Sequence, residues 1–366
     1  MREQDRFALA ALQCVRGMHA ETLRPLLAAL GSALTVWSAP AADLQAAGAA
    51  GRLIAALTSF RAKHPDEPER LAGLCREKGI ALVALGEEAY PRSLREIYQP
   101  PLALYVRGTL ASSVERLAIV GARRFSRYGE GIAKTLGEEL AANGYTVVSG
   151  AARGIDSAAH RGALKGGRTV AVLGCGVDVA YPSENRRLLE EIAAGGAVLS
   201  EYAPGTPPLP AFFPARNRII SGLAQGVVVV EAAERSGSLI TAQLALEEGR
   251  DVFAVPGSIF SPTSAGCHRL IQQGAKLVTS TADILEEYGR TPAVRPPAPK
   301  KGAVLSAEER AVYQVLSYEH PLSIDEILCS LKDGDASRLS FLLLGLELKG
   351  LVIENASHGY LRAERE

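Results

Sequence analysis

Arginines gather beside glycines in this chain: Arg123, Arg124 and Arg127 in GARRFSRYG, Arg153 in SGAARGID, Arg216 and Arg218 in FPARNRIISGL. Cations next to backbone without Cβ atoms, where amide N–H groups come close to a ligand, suit the binding of anions and of phosphate above all. Arg216 is the sharpest case. The stretch FFPARNRII reads as the start of a helix with Pro214 at its first position, an end already made positive by the helix dipole and one that favours Asp or Glu. A cation there opposes the dipole by about 0.3–1 kcal/mol, whereas a bound anion between the amides and the guanidinium reverses the sign. An external anion is therefore expected. Arg216 and Arg218 lie two residues apart and point to different faces, so one is expected at the ligand and the other in a partly structural role.

These residues need a scaffold that brings distant loops together. Between about 117 and 288 the runs LAIVG, TVVSG, TVAVLG, AVLSE, VVVVEA, DVFAVPG and KLVTS alternate with helical stretches, the pattern of a largely parallel sheet covered by helices. Ligands of such sheets sit outside the carboxyl ends of the strands. Four glycine-bearing loops follow strands on that rim, at 121–129, 149–156, 174–182 and 233–239. Phe125, Tyr128, Tyr181, Phe212 and Phe213 lie beside the basic loops, and unpaired bases stack on such rings. No GxxxxGK[ST] is present, so the P-loop route to ATP is absent.

Residues 1–72, rich in Ala and Leu at helical spacing, read as a small helical domain; 73–288 hold the sheet. Residues 289–304, GRTPAVRPPAPKKGAV from Gly289, form a proline-rich tether, and 305–366 give three helices and a two-stranded ribbon turning at Ser357 to Gly359, a winged helix. Lys plus Arg (40) balance Asp plus Glu (40), which excludes a whole-protein basic field, so any anion site is local. Cys14, Cys75, Cys175, Cys267 and Cys329 show no metal spacing and suit reduced thiols; neither zinc nor any other cofactor is expected. With no apolar run of membrane-spanning length, a cytoplasmic protein is expected.

From YPRSLREIYQPPLALYVRG through AIVGARRFSRYG, VVSGAARGIDSAAHRGAL, TVAVLGCGVDVAYPSEN, LSEY, FPARNRIISGL and VVVVEAAERSGSLITAQLALEEGRDVFAVPG to GCHRLIQQGAKLV, the chain resembles the DNA-processing protein A family, also called Smf, over residues 80–288. The resemblance implies an extended Rossmann-like domain that binds single-stranded DNA without ATP, forms a homodimer and helps load the RecA recombinase in natural transformation. By position, the family's phosphate-contacting arginine falls on Arg123, after Gly121 and Ala122. The SGxAxGID loop falls on Ser149, Gly150, Gly154 and Asp156, and the RNR segment on Arg216, Asn217 and Arg218. Arg124, Arg153, Phe212, Ser236 and Gly237 complete the expected DNA-binding set. Ser183 stands where many members carry a DNA-holding lysine; Arg186 or Arg187, one turn on, is the candidate replacement, and Ser183 is expected to cap the following helix. The N-terminal helices resemble the SAM-like, helix-hairpin-helix part of the family, but VRGMHAET offers only Gly17 for backbone contact with DNA.

The competing reading is an enzyme. Small Rossmann phosphoribohydrolases, which split a nucleotide base from ribose phosphate, carry a PGGxGTxxE loop similar to SGSLITAQL, and Asp156 and His160 have the i, i+4 spacing of an acid/base pair. Gln243 and Leu244 stand where that class needs glutamate, and His160 is expected to be structural. Glu201 and Glu231, at strand ends, are expected to orient loop arginines. In the tail, SRLSFLLLGLELKG offers only Arg338 and Lys349 as cations, with Asp333, Asp335 and Glu347 opposing phosphate, while Phe341, Leu342, Leu343, Leu344, Leu346 and Leu348 exceed one core stripe. A protein contact rather than a DNA contact is expected there.

Overall fold

The computed structural model describes residues 1–111, 114–291, 305–318, 320–331, 336–349, 351–354 and 359–362. The chain divides into two compact units, Met1–Pro292 and Ala293–Glu366. Six helices open the first unit: α1 (Glu3–Gln13), α2 (Ala20–Leu30), α3 (Ala33–Ser38), α4 (Ala41–Ala46), α5 (Gly51–Lys63) and α6 (Glu67–Glu77). The antiparallel pair β1 (Ala81–Ala84) and β2 (Ala103–Gly108) follows, with the short α7 (Arg92–Arg95) between its strands. Then strands and helices alternate: β3 (Arg116–Val120), α8 (Arg127–Ala142), β4 (Thr146–Ser149), α9 (Ile155–Gly166), β5 (Thr169–Val172), α10 (Arg186–Gly195), β6 (Ala197–Ser200), α11 (Phe212–Leu223), β7 (Gly226–Val229), α12 (Gly237–Glu247), β8 (Asp251–Ala254), α13 (Ala265–Gln272), β9 (Lys276–Leu277) and α14 (Thr281–Glu287).

The nine strands form one sheet in the order β1-β2-β6-β5-β4-β3-β7-β8-β9, parallel from β6 to β9. Every residue of β3 to β7 is buried, which is why they read as unbroken Val, Ile, Leu and Ala runs instead of alternating ones. β2 enters antiparallel to β6 and carries β1 at the edge. The opening helices share a core with that edge: Phe7, Leu9 and Leu12 of α1 pack with Leu82, Ala84, Ala103 and Tyr105. Gln13 fastens the contact, its amide donating to Ala103 O (3.0 Å) and Glu201 O (2.6 Å) while its carbonyl accepts from Ala103 N (2.9 Å). Among the described residues no helix is long and apolar enough to cross a membrane.

The second unit contains α15 (Ala307–Val315), α16 (Ile324–Ser330), α17 (Ala336–Leu348) and the antiparallel ribbon β10 (Val352–Glu354) and β11 (Tyr360–Arg362), a winged-helix arrangement. Capping boxes Ser306/Glu309 and Ser323/Glu326 start its first two helices. Leu339, Leu343 and Leu346 of α17 are buried with Val312, Ile327 and Val352, and Leu342 packs against them. Phe341 (76% exposed) and Leu344 (52%) are the surplus outside that core. Most of the tether, the tip of the ribbon at Ser357, the segment Lys332 to Asp335 and the side chain of Leu348 lie outside the described residues.

Candidate nucleic-acid interface

Strand order reverses at β3: β4, β5 and β6 lie on one side of it and β7, β8 and β9 on the other. The loops at 121–126 and 230–236, which leave β3 and β7 at their carboxyl ends, flank that switch point, the usual ligand crevice of an open α/β sheet. The loops at 150–154, 173–182 and 201–211 continue the rim along β4, β5 and β6.

An exposed layer and a buried layer make up this rim. In the exposed layer Arg123, Arg124 and Arg127 reach solvent. The Arg123 guanidinium stands 5.6 Å from the centre of the Phe213 ring, a cation–π distance, and Phe213 lies 5.2 Å from Tyr181. Phe212 stacks on Tyr202 at 4.0 Å. Phe125 and Tyr181 are each about two-fifths open to water, so the basic loop has flat apolar faces beside it. Ser126 caps α8, accepting from Gly129 N (3.0 Å), and donates its own N–H (2.9 Å) and hydroxyl (2.6 Å) to the buried Glu231 carboxylate. Glu231 thus fixes the backbone between Arg124 and Arg127 and bonds neither arginine, contrary to the expectation that it orients one. Glu201 holds a helix arginine, not a loop one: its carboxylate takes Nη2 of Arg218 in α11 at 2.5 Å, in a pair mostly screened from solvent.

Arg216 belongs to the buried layer. The helix starts at Phe212, so Pro214 is its third residue, still among the first four N–H positions that lack an intrahelical acceptor. Arg216, only 4% exposed, turns inward; its Nη1 donates to Gly150 O (2.7 Å) and to Val172 O, joining the carboxyl ends of β4 and β5. Burial pushes its guanidinium down from the ordinary arginine pKa, opposed chiefly by Asp156, buried in the first turn of α9. Burial likewise raises the Asp156 carboxyl, opposed by Arg216 and by the Ala152 N–H that it accepts (3.3 Å). Both arginines of the RNR segment thus hold partners inside the chain, while Arg216 Nε and Arg218 Nη1 are buried without one among the described residues. Asn217 reaches the next loop, donating to Gly237 O (3.3 Å), beside the α12 cap at Ser236.

The glycines serve the same inner packing. A Cβ on Gly150 would meet the Arg216 guanidinium at 2.6 Å, one on Gly121 would meet Ile155 at 2.7 Å, and one on Gly154, at φ +88°, would meet Ala122 O at 2.3 Å. Ser149 is buried and donates to Ile119 O (2.6 Å). Gly121, Ser149, Gly150 and Gly154 thus lie under the rim. His160 and Asp156 do not form an acid/base pair: the buried His160 ring bonds Thr169 Oγ1 through Nδ1 (2.7 Å). Burial, with a lesser push from Arg216, lowers its pKa to about 3, so it is neutral.

On the β5 side, Ser183 begins a single 3-10 turn and makes no side-chain cap; Asn185 holds the N-cap position of α10. Asn185 is buried and donates to Ala151 O (2.9 Å) and Ser157 Oγ (2.8 Å), joining the loops after β4 and β5. Ala151 has φ 51°, a left-handed conformation uncommon outside glycine. Reading the sequence missed Asn185, and its only signal there was a polar side chain between a turn and a helix. Arg153 pairs with Glu184 across these loops (Nη2 to Oε2, 3.1 Å, with Nε on Oε1), and this bond holds the Glu184 carboxyl below its usual range. Arg187 pairs with Glu191 (3.0 Å), while Arg186 is exposed on the first turn of α10.

The comparisons with known proteins fit this architecture. Residues 81–289 match the family model of DNA recombination-mediator protein A, and 296–355 match the DprA winged helix domain. The DNA processing protein DprA of Streptococcus pneumoniae strain R6 is 52% identical over 208 residues, 55% of this chain and 72% of that protein. The X-ray structure of the DNA processing protein A from Streptococcus pneumoniae superposes with a TM-score of 0.65 at 40% identity, covering 78% of this chain and 95% of that one. A Helicobacter pylori DNA processing protein A, whose structure was described for its single-stranded DNA binding mode, gives 0.53 at 31% identity over 57% and 95%. A family model over more than half the chain, joined to the same sheet and the same winged helix, makes this chain a member of the DNA recombination-mediator protein A (DprA/Smf) family.

Proposed function

We propose that this chain binds single-stranded DNA along the carboxyl rim of its sheet and passes it to a RecA recombinase, with no chemistry on the strand. One observation carries the reading: Arg123 and Arg124, with no hydrogen-bonded carboxylate among the described residues, stand beside half-open aromatic rings at the switch point. Exposed cations follow a phosphate backbone and rings take unpaired bases, a combination that suits single strands better than duplex. The Helicobacter pylori relative supports the ligand and the mediator family supports the recombinase.

Within the rim we assign direct contact to Arg123, Arg124, Arg186 and the face of Phe212 and Phe213, with the α12 N-terminus at Ser236 and Gly237 as a further phosphate position. Gly121, Ser149, Gly150, Gly154, Arg216, Asn217 and Arg218 hold the loops in place. We take residues 1–72, 73–288, 289–304 and 305–366 as the functional divisions of a cytoplasmic protein. A homodimer is part of the proposal, supported by Ile240 and Leu246 of α12 and Leu277 of the edge strand β9, apolar and about half exposed. The test is a salt titration of binding to thymidine homopolymer against duplex, with ATP added in a parallel series. Strong single-strand preference, indifference to ATP and no nucleotide turnover are expected; equal binding to duplex would overturn the reading.

A further inference from the structure

We infer that Glu184 withholds Arg153 from the anionic ligand of the rim, so that a phosphate must displace a carboxylate before this arginine contributes to binding. The inference rests on the single-strand reading above and goes further by naming a residue that sets the affinity of that site.

The pair is built rather than incidental. Arg153 offers Nε and Nη2 to the two oxygens of one carboxylate, the parallel geometry that makes guanidinium–carboxylate pairs specific. The partners are 31 residues apart, and the backbone near each is pinned. Asn185, next to Glu184, holds Ala151 O, while Ser157 Oγ, which accepts from Asn185, donates to Ala152 O at 2.6 Å. The loop carrying Arg153 therefore cannot drift away from the turn carrying Glu184.

The pair is also accessible. The Arg153 and Glu184 side chains are 67% and 48% exposed, against 21% and 11% for Arg218 and Glu201. An exposed ion pair is weakly held because water screens it, so a phosphate with more acceptor oxygens can replace the carboxylate more readily than at the screened Arg218 pair. Replacement leaves the Glu184 charge beside the phosphate, which opposes binding. Arg153 thus adds little net charge to the wild-type rim, unlike Arg123 and Arg124.

The experiment measures full-length protein on thymidine homopolymer by fluorescence anisotropy across a salt series, for wild type, Glu184→Gln, Arg153→Ala, the double variant and Arg123→Ala. Glu184→Gln is expected to bind about two- to fivefold tighter at low salt, with a salt slope steeper by about 0.7 as Arg153 becomes a full phosphate partner. Arg153→Ala in the wild-type background should change affinity less than about twofold, and in the Glu184→Gln background should abolish the gain. If Glu184→Gln weakens binding as Arg153→Ala does, Glu184 positions the arginine and the inference is overturned; if neither changes affinity or slope, the pair lies off the strand's path and it is overturned too. Loss of affinity in Arg123→Ala separates these failures from a failure of the single-strand reading: without that loss, and without homopolymer binding by wild type, both fall together.

Discussion

The carboxyl rim of the sheet and the third helix of the winged helix both present arginine or lysine near apolar side chains, yet they differ in what reaches solvent. On the rim Arg123 and Arg124 are open, and the exposed apolar surface beside them is aromatic and flat. On α17 and just past its end each cation carries an acid: Arg338, 65% exposed, pairs with Glu308 of α15, and Lys349 pairs with Glu309 at 2.6 Å. Among the described residues, the exposed large apolar side chains of α17 are Phe341 and Leu344. The lesson is that counting basic residues along a chain overstates free charge, because the neutralising acid sits about 30–40 residues away in sequence and only the fold brings it back.

The largest test of this contrast asks whether the inner layer of the rim is structural. Arg216→Ala removes the donor to Gly150 O and Val172 O and takes from buried Asp156 the cation that most opposes its desolvation. Breaking a buried, hydrogen-bonded charge costs about 3–5 kcal/mol, and for a domain of this size each kcal/mol lowers Tm by roughly 2–4 °C. Thermal unfolding followed by circular dichroism should therefore show a drop of roughly 6 °C or more. A native Tm with weakened DNA binding would mean that Arg216 serves the ligand after all.

His160 tests the same layer by pH. Its folded pKa is depressed, to about 3, below the ordinary histidine value. The unfolded chain therefore binds a proton that the folded chain refuses, and the stability linked to His160 is full above about pH 6.5 and falls as pH drops toward 3, by up to about 1.4 kcal/mol per pH unit. Denaturant melts of wild type and His160→Asn between pH 7 and pH 4 should show a shallower decline in the variant. Parallel declines would indicate that the imidazole is solvated.

Arg123→Ala sharpens the outer side of the contrast. Single-strand affinity should fall roughly five- to tenfold, about 1–1.4 kcal/mol, and the salt slope should flatten by about 0.7, with Tm unchanged. Unaltered affinity and slope would remove the crevice from consideration.

How far the sequence showed all this depends on the range of the interaction. Strand runs such as VVVV at 227–230 and the glycine-bearing loops are local patterns, so the parallel sheet, its rim and the winged helix were legible before any coordinates. The exposure of Arg123 was legible too, because an arginine in a short loop after a buried strand has solvent to point into. Arg216 was not. Its guanidinium donates to two carbonyls from other parts of the chain, so the sequence did not show that the side chain turns inward. Asn185 and Glu184 were hidden for the same reason: each acts on the loop after β4, some 30 residues earlier.

The smallest expected effect comes from removing the second unit. Among the described residues the cations on its third helix and just past it, Arg338 and Lys349, are both paired with acids of α15. A helix that reads a duplex groove needs basic or polar side chains along the entering face, and here that face would present Phe341 and Leu344. Truncation should follow the boundary between the units, ending the chain at Pro292, because Arg290 still belongs to the first unit: it donates to Asn143 O (3.2 Å) and stacks over Tyr145 at 4.5 Å. A cut before Arg290 would mix a stability loss into the binding measurement. With residues 293–366 removed, the single-strand Kd should stay within about threefold of the full chain, a shift below about 0.7 kcal/mol. If the exposed pair on α17 docks a protein, Phe341→Ser should leave DNA affinity equally unchanged while weakening recombinase loading or self-association. A tenfold loss of single-strand affinity on truncation, or tight duplex binding by the isolated second unit, would show that the acid-paired cations of α17 open to DNA and that the two regions are less different than their side chains indicate.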